Sequence, residues 1–397
     1  PLRCPVIQVA DSRLALSALA SEFYDRPAHH LRMFGVTGTD GKTTTTELIR
    51  SILARAGHAT GCLNTVRSDL GVRTVDSVQT TPHPLDLHRM LREMIDSGVT
   101  HACMEISSHA LVHHRTAHVP IDTAILTNVT QDHLDFHGSI ENYIKAKQLL
   151  FEGLSAESIA VLNADSPVWW RYSNATSANV LTYAIDSLAD VRLVEHRGTV
   201  QGTRMRIETP LDNIDLYSPL VGDYNCENVL AAVTAAFGLG ISPDHIAAAI
   251  ENFEGVGGRL ESIAPPDGSN LPNTFVDFAH TPNAMEKVLK TLRPITRGEL
   301  ICVFGCGGDR DREKRPRMGR IASELADLSV ITADNSRSER TEDIIEEIQA
   351  GIQNSDARYF TQPDRRRAIK EALSAAKSPK DVVVVCGRGC EQFQNLG

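Results

Sequence analysis

No apolar run in this sequence approaches the roughly 20 residues that a membrane-spanning helix needs, which excludes a helical membrane protein among the residues given. Basic charge is not in excess: 40 Lys and Arg stand against 50 Asp and Glu, a net charge of −10. That balance argues against a general nucleic-acid binder. It leaves a small anionic substrate open, because local charge decides such binding. Internal repeats and low-complexity tracts are absent, which excludes a repeat array. Cys4, Cys62, Cys103, Cys226, Cys302, Cys306, Cys386 and Cys390 are scattered, mostly through strand-like apolar runs. Such placement suits reduced, buried thiols. Cys302/Cys306 and Cys386/Cys390 are each separated by three residues; a zinc site from these four is conceivable but not expected, because zinc motifs more often use shorter hooks on turns. No secretory pattern follows Pro1, and a cytoplasmic location is expected. An opening on Pro1 rather than methionine suggests a trimmed chain.

What remains is an ordinary globular composition, 42% hydrophobic and 23% charged over 397 residues, enough for two or three domains. Its most informative run is Val36-Thr37-Gly38-Thr39-Asp40-Gly41-Lys42-Thr43-Thr44-Thr45. Leu31–Val36 suits a short buried strand, and Thr46–Leu53 carries apolar residues at helical spacing. Small residues let backbone N–H groups approach phosphate oxygens at a helix start. Lys42 supplies a mobile positive charge for the β- and γ-phosphates, and the Thr43 hydroxyl can ligate Mg²⁺. The usual phosphate-loop spacing wants glycine at 36, where valine stands. The alternative is a Gly/Thr-rich turn that caps a helix.

Val6–Val9 resembles a strand, and Asp11-Ser12 can cap a helix running to about Phe23. From 31 to about 164 strand-like and helical runs alternate. Strands are predicted at Thr100–Glu105, Thr123–Thr127 and Ser158–Leu162, with a helix over Ile140–Phe151. That alternation predicts an α/β fold with a mainly parallel sheet. Residues 190–220 read as an antiparallel patch, followed by a helix from Glu227 to about Leu239. Gly255–Arg259 is a plausible hinge. After it strands are predicted at Thr274–Phe278, Leu300–Phe304, Leu328–Thr332, Arg358–Thr361 and Asp381–Cys386. Helices near 282–293, 315–326, 341–353 and 364–376 alternate with them. This is a second doubly wound unit, in which ligands meet the carboxyl ends of the strands.

Polar runs follow the predicted strands. Glu105 ends one and precedes Ser107-Ser108-His109; a carboxylate there, near a phosphate loop, is where Mg²⁺ would sit. Asn128 to His137 follows another, although hard cations prefer oxygen to the imidazole of His133. In the second unit Asp277 to Pro282, Gly305 to Pro316 and Asp334-Asn335-Ser336-Arg337 each follow a strand. Three such loops at one sheet edge predict a binding face. Seen alone, Lys147 is an ordinary helix-surface lysine.

The ordered set TGTDGKTTT, TTP, EISSHAL, TNVTQDHLDFHG, KAKQLLF, GDYNCEN, GGRLE, VDFAHTP, FGCGGDRDREKRP and DNSR resembles the Mur ligases. These are ATP-dependent amide-forming enzymes of peptidoglycan synthesis, and the chain is most similar to the branch that adds the third residue of the stem peptide. The resemblance implies a central P-loop ATPase domain over 13–258 and a carboxyl Rossmann-like domain over 259–397. It implies that 1–12 are a remnant of a uridine-nucleotide-binding domain, and that the chain stops earlier than other members. It implies that Gly38, Thr39, Asp40, Gly41, Lys42, Thr43 and Thr44 hold ATP, with Asn225, Asn228, Asp277 and His280 near the nucleotide. Glu105 and His133, with Thr43, would ligate Mg²⁺, and Lys147 would be carbamylated as a further ligand. Thr80, Thr81, Ser107, His113 and Arg115 would meet the UDP-muramoyl dipeptide. Arg310, Asp334, Asn335, Ser336, Arg337, Gly387 and Glu391 would meet the incoming diamino acid.

The sequence departs from the family pattern at several of these places. Asp40 stands for asparagine, Gln79 and His113 for asparagine and glutamine, Ser336 for proline, and Arg388 and Cys390 for lysine and histidine. Arg337 remains, and its fork suits a distal carboxylate such as that of meso-diaminopimelate, with lysine and ornithine as alternatives. The reaction implied is activation of a D-glutamyl carboxylate as an acyl phosphate, then attack by the amine, with the carboxyl domain closing to exclude water. Small-molecule substrates and a monomer are expected. Another amide ligase of the same scaffold, such as a folylpolyglutamate synthetase, and a non-catalytic ATP-binding partner subunit are the competing readings.

Overall fold

A computed structural model describes residues 6–266, 269–353, 356–391 and 393–397. The chain divides into two compact units. The first comprises the chain through His196 with Arg204–Ser218 and Tyr224–Phe253; the second comprises Arg197–Thr203, Pro219–Asp223 and everything from Glu254 onward.

The first unit begins with α1 (Ser12–Phe23), whose N-terminus is capped by the Asp11 carboxylate accepting from Arg13 N and Leu14 N. Then come β1 (Arg32–Thr37), α2 (Lys42–Arg55), β2 (Thr60–Leu63), β3 (Arg67–Asp69), β4 (Thr74–Asp76), α3 (Pro84–Asp96) and β5 (His101–Glu105). They are followed by α4 (Ser108–Val112), β6 (Thr123–Leu126), α5 (Leu134–His137), α6 (Ile140–Glu152), β7 (Ile159–Asn163), α7 (Trp169–Ser173) and β8 (Asn179–Ala184). The run ends with β9 (Val191–Thr199), β10 (Gly202–Glu208), β11 (Asn213–Ser218), α8 (Asp223–Gly238) and α9 (Pro243–Glu251). Eleven strands form one sheet in the order β11-β10-β9-β8-β7-β6-β1-β5-β2-β3-β4. Its centre is parallel, with Val36 beside Glu105 and Thr37 beside Leu126. Met33, Phe34 and Val36 of β1 are wholly buried, as a strand covered on both faces requires. A two-residue turn joins β9 to its neighbour β10, too short for a parallel crossover, so this edge is a meander as expected.

The predicted strand at Val6–Val9 does not form. These residues are irregular and exposed, and β-propensity without a partner strand fixes no strand. The helix predicted from Glu227 starts one turn earlier, at Asp223.

The second unit runs β12 (Glu261–Ile263), β13 (Asn273–Asp277), α10 (Pro282–Leu292), β14 (Leu300–Phe304), α11 (Lys314–Leu325), β15 (Leu328–Ile331), α12 (Thr341–Gln349), β16 (Tyr359–Thr361), α13 (Arg365–Ala375) and β17 (Val382–Cys386). Its sheet order is β12-β13-β17-β14-β15-β16, parallel except for the β12 edge. The consecutive valines 382–385 are buried, and β-branched side chains suit a strand enclosed by helices. The alternation read from sequence is recovered strand by strand. The predicted helix over 341–353 ends sooner, at Gln349. There Gly351 lies against Pro316 O, where an added Cβ would come to 1.8 Å.

One core residue is out of character. His88 on α3 is fully buried beside Leu87 and Leu91, and both ring nitrogens lack a hydrogen-bond partner. Burial, then the charge of His118, pushes its pKa from 6.5 to about 4. A depressed histidine pKa leaves stability intact above the unfolded value and removes it as pH falls toward the folded one. Between pH 6.5 and 4 this group should cost the fold about 3 kcal/mol. His88→Leu should raise stability at pH 7 by roughly 1–2 kcal/mol and flatten its decline below pH 6.5. Urea melts at pH 7 and pH 5 test both, and unchanged midpoints at the two pH values would sink the argument.

Candidate active site

The phosphate loop leaves β1 at Thr37, and its shape is set by contacts that glycine alone permits. A Cβ on Gly38 would meet Thr127 Oγ1 at 1.8 Å, and one on Gly41, at φ +81°, would meet Asn228 Oδ1 at 2.1 Å. Residues just beyond β6 hold the loop from the other side. Thr39 N donates to Asn128 O (2.9 Å), Asp40 N to Asn128 Oδ1 (2.9 Å), and Thr127 Oγ1 to Asp40 O (2.6 Å). Thr39 Oγ1 also shares a hydrogen bond with Tyr143 OH at 3.2 Å. The first i→i−4 bond of α2 is Thr45 N to Gly41 O, and no side chain caps the helix. The N–H groups of Lys42, Thr43 and Thr44 therefore precede that bond, as anion-binding amides at a helix start do. The cradle fits a polyphosphate.

Asn228 and Asn225, on α8, prop this loop. Asn228 Oδ1 accepts from Thr45 Oγ1 (3.3 Å), and its Nδ2 donates to Asn225 Oδ1 (3.0 Å). The other two residues expected near nucleotide, Asp277 and His280, belong to the second unit. Both Asp277 oxygens are engaged there, by Leu260 N and Ala279 N at 2.7 Å each. Burial raises its pKa against the pull of those bonds. His280 is exposed, with Nδ1 2.9 Å from Phe278 O.

Glu105 ends β5 beside Val36, one residue before the loop's entry. Its buried carboxylate accepts from Thr65 N (2.9 Å) and Thr65 Oγ1 (3.0 Å). Thr80, Thr81, Ser107 and Arg115 assemble around it. Thr65 Oγ1, its proton directed to Glu105, lies 3.1 Å from Thr80 Oγ1; Thr81 Oγ1 donates to Glu105 O (2.9 Å), and Ser107 N to Thr81 Oγ1 (3.1 Å). Arg115 Nη1 donates to Thr81 O (2.8 Å) and Gln79 Oε1 (2.7 Å), while its buried Nε has no partner. His113, expected in this set, points elsewhere. Its Nδ1 lies 2.7 Å from Arg13 Nη1, and its ring packs edge-on against Phe136.

Lys147 is not the surface lysine its local sequence suggests. It is 1% exposed, donates to Gly38 O at 2.8 Å, and stands 4.4 Å from the centre of the Tyr143 ring. Lys42 Nζ donates to the same carbonyl (3.1 Å) and to Thr39 O (2.8 Å). Burial, then the charge of Lys42, pushes the pKa of the Lys147 amine well below its usual range. His133 opens α5 in the left-handed region at φ +51°, with its ring edge-on to His109 at 4.9 Å.

Thr43 and Glu105 offer the hard oxygens that Mg²⁺ takes, and an ion that keeps waters and substrate phosphates needs only one or two carboxylates. Among the described residues no three His, Cys, Asp or Glu side chains form a ready metal cage. The chemistry of those two oxygen donors fits Mg²⁺ held jointly with phosphate. The wide-gap cysteines form no such cage either. Every described cysteine is a free thiol, and Cys4 lies outside the described residues.

In the second unit the loops after β14, β15 and β17 lie together, whereas the three expected followed β13, β14 and β15; the loop after β13 meets them where Lys314 Nζ donates to His280 O (2.8 Å). Gly387, at φ +115°, leaves room for Asp334, whose Oδ2 would lie 2.5 Å from an added Cβ. That oxygen is buried without a partner, whereas Oδ1 accepts from Asn335 N at 2.6 Å. Asn335 Nδ2 donates to Glu391 Oε2 (3.1 Å), and its Oδ1 accepts from Arg388 Nη1 (2.8 Å). Arg337, at φ +51°, anchors Nη1 on Gly308 O (2.8 Å) and Asn335 O (3.2 Å). Ser336, where the family has proline, is buried and shares a 2.6 Å hydrogen bond with Thr341 Oγ1. Arg310 is exposed and donates to Asp309 O (3.2 Å). Sequence reasoning missed Thr65 and Arg365. Arg365 is largely buried and bridges Ala333 O (3.1 Å) and Cys386 O (2.9 Å), the ends of two strands. Neither carries a local signal, since each acts on residues distant in sequence.

A P-loop α/β unit followed by a Rossmann-like unit, each with polar side chains gathered at its strand ends, defines a nucleotide-dependent enzyme class. The Mur ligase middle domain matches residues 36–236, and the Mur ligase glutamate ligase domain matches 258–389. The chain belongs to the Mur ligase family. It is 42% identical over 399 residues to a UDP-N-acetylmuramoyl-L-alanyl-D-glutamate–2,6-diaminopimelate ligase of Geobacillus kaustophilus, covering 99% of this chain and 81% of that protein. It is 45% identical to the protein of the same name from Gloeobacter violaceus, covering 79% of it. A solved structure of a ligase of that name superposes with TM-score 0.73 at 31% identity, over 96% of this chain and 79% of that one. A Mycobacterium tuberculosis folylpolyglutamate synthase has TM-score 0.74 at 19% identity, a likeness of fold alone.

Proposed function

We propose that this chain is an ATP-dependent amide ligase of peptidoglycan synthesis, coupling meso-diaminopimelate to the D-glutamyl carboxylate of UDP-N-acetylmuramoyl-L-alanyl-D-glutamate. The observation that carries the reading is the uncapped start of α2 with Lys42 folded over it, in a chain 42% identical to a ligase of that name. The exposed amides of Lys42 to Thr44 bind the triphosphate, and Lys42 swings from Gly38 O and Thr39 O onto the β- and γ-phosphates. The substrate carboxylate takes the γ-phosphoryl group, releasing ADP and leaving an acyl phosphate. The neutral amine of the diamino acid attacks the acyl carbon, and collapse expels phosphate and a proton. Thr43 and Glu105 would hold Mg²⁺, which would supply charge neutralisation during phosphoryl transfer. Thr80, Thr81, Ser107 and Arg115 orient the dipeptide. Asp334, with its unpaired buried oxygen, receives an ammonium group, and Arg337 receives the distal carboxylate. A cytoplasmic location belongs to this reading, since ATP is a substrate. Among the described residues no helix is long and apolar enough to cross a membrane.

The decisive assay is phosphate release with the UDP-muramoyl dipeptide and diaminopimelate, lysine or ornithine in parallel. Activity with diaminopimelate alone is expected. Turnover with a folate substrate, or none with the dipeptide, would sink the reading.

Burial favours the uncharged form of the Lys147 amine, the form that adds to CO₂ to give a carbamate and a proton. Turnover should then fall in CO₂-depleted buffer and return with bicarbonate, and Lys147→Ala should lose about 100-fold. Wild-type turnover by Lys147→Ala would remove the residue from the mechanism.

A further inference from the structure

The tightest buried charge cluster of the first unit lies one turn beyond the phosphate loop, and no step above uses it. Glu47, on α2, is 4% exposed and accepts four side-chain hydrogen bonds. Oε1 receives Asn64 Nδ2 (2.8 Å) and Arg67 Nε (3.0 Å), and Oε2 receives Arg50 Nε (2.8 Å) and Arg67 Nη2 (3.1 Å). Burial pushes the Glu47 carboxyl up, but Arg67 and Arg50 pull it down further, so it is held ionised. Asn64 is equally enclosed. Its Oδ1 accepts from Val66 N (2.9 Å) and Arg67 N (3.0 Å), and its own N donates to Arg67 O at 3.1 Å. These bonds close the turn between β2 and β3. The tip of that turn is Thr65, which meets both oxygens of Glu105.

We infer that Glu47 and Asn64 are positioning residues: from the helix that follows the phosphate loop they clamp the Asn64–Arg67 turn, so that Thr65 holds the Glu105 carboxylate in one orientation. One helix then sets both the loop amides and the carboxylate opposite them. An ionised carboxylate with four donors is suited to this, because its bonds tie α2 to both Asn64 and Arg67 of the turn. The inference rests on the proposed role of Glu105 at the metal.

The test uses the full chain with ADP and Mn²⁺, the free ion being read by electron paramagnetic resonance, beside metal titrations of ADP formation and thermal melts. Glu47→Gln and Asn64→Ala should each weaken Mn²⁺ binding about 10-fold. They should raise the metal concentration for half-maximal rate by a similar factor, with the KM for ATP little changed. Arg50→Met is the control: it removes one Glu47 donor without touching Asn64 or Thr65. It should lower Tm comparably and leave Mn²⁺ affinity alone. If all three variants melt early but bind Mn²⁺ as wild type does, while Glu105→Gln does not, the clamp is merely structural and the inference falls by itself. If Glu105→Gln also binds Mn²⁺ normally, the metal role of Glu105 falls with it.

Discussion

Lys42→Ala is expected to reduce ADP formation by about 10²–10³-fold or more, the usual cost of removing a charge aimed at a developing anion. Stability should hardly change. In the nucleotide-free fold Lys42 only folds back onto Gly38 O and Thr39 O, and neither carbonyl needs it. Nucleotide affinity should weaken less than turnover, because the amides at the start of α2 survive the substitution. A second lysine does stand close, since Lys147 Nζ reaches the same Gly38 carbonyl at 2.8 Å. It is a poor substitute: it is 1% exposed, and burial lowers its pKa, which weakens the charge it could bring. Near-wild-type turnover in a coupled ADP assay would refute the assignment.

The second large effect concerns the choice of amine. Arg337→Lys should raise the KM for diaminopimelate about 100-fold with little change in kcat. Arg337 commits Nη1 to Gly308 O and Asn335 O, an anchor that leaves the rest of its fork for a carboxylate. A Cβ at Gly307 would stand 2.9 Å from that Nη1, so the glycine keeps the anchor accessible. Lysine has no fork and would forfeit roughly two charge-assisted hydrogen bonds, about 3 kcal/mol together. An amine without a distal carboxylate loses nothing, so discrimination against lysine as substrate should collapse by the same factor. Parallel KM measurements with both amines decide it, and an unchanged ratio would remove Arg337 from specificity.

Legibility followed range. Most parallel strands of both units were readable because each is a short apolar run bounded by turn residues, as Val382–Cys386 shows, but β2 and β8, each parallel to a neighbour, were not foreseen. Val6–Val9 has the same local character and forms no strand, because nothing pairs with it. Lys147 shows the limit most sharply. Its helix was predicted correctly, but whether that face of α6 met solvent or the Gly38 carbonyl was not a property of residues 140–152. The family resemblance marked Lys147 as important without saying what its surroundings do to its charge.

By itself the sequence determined the phosphate loop, the two runs of alternating strands and helices, and the polar residues at the strand ends. These depend on neighbours within about a dozen positions, where backbone geometry and periodicity act directly. Only the tertiary structure decided that Thr65 meets Glu105 forty residues on, that Glu47 is enclosed by two arginines, and that Lys147 is buried against the Gly38 carbonyl. Those outcomes turn on which surfaces are desolvated and which distant dipoles face each other, and both are set by packing.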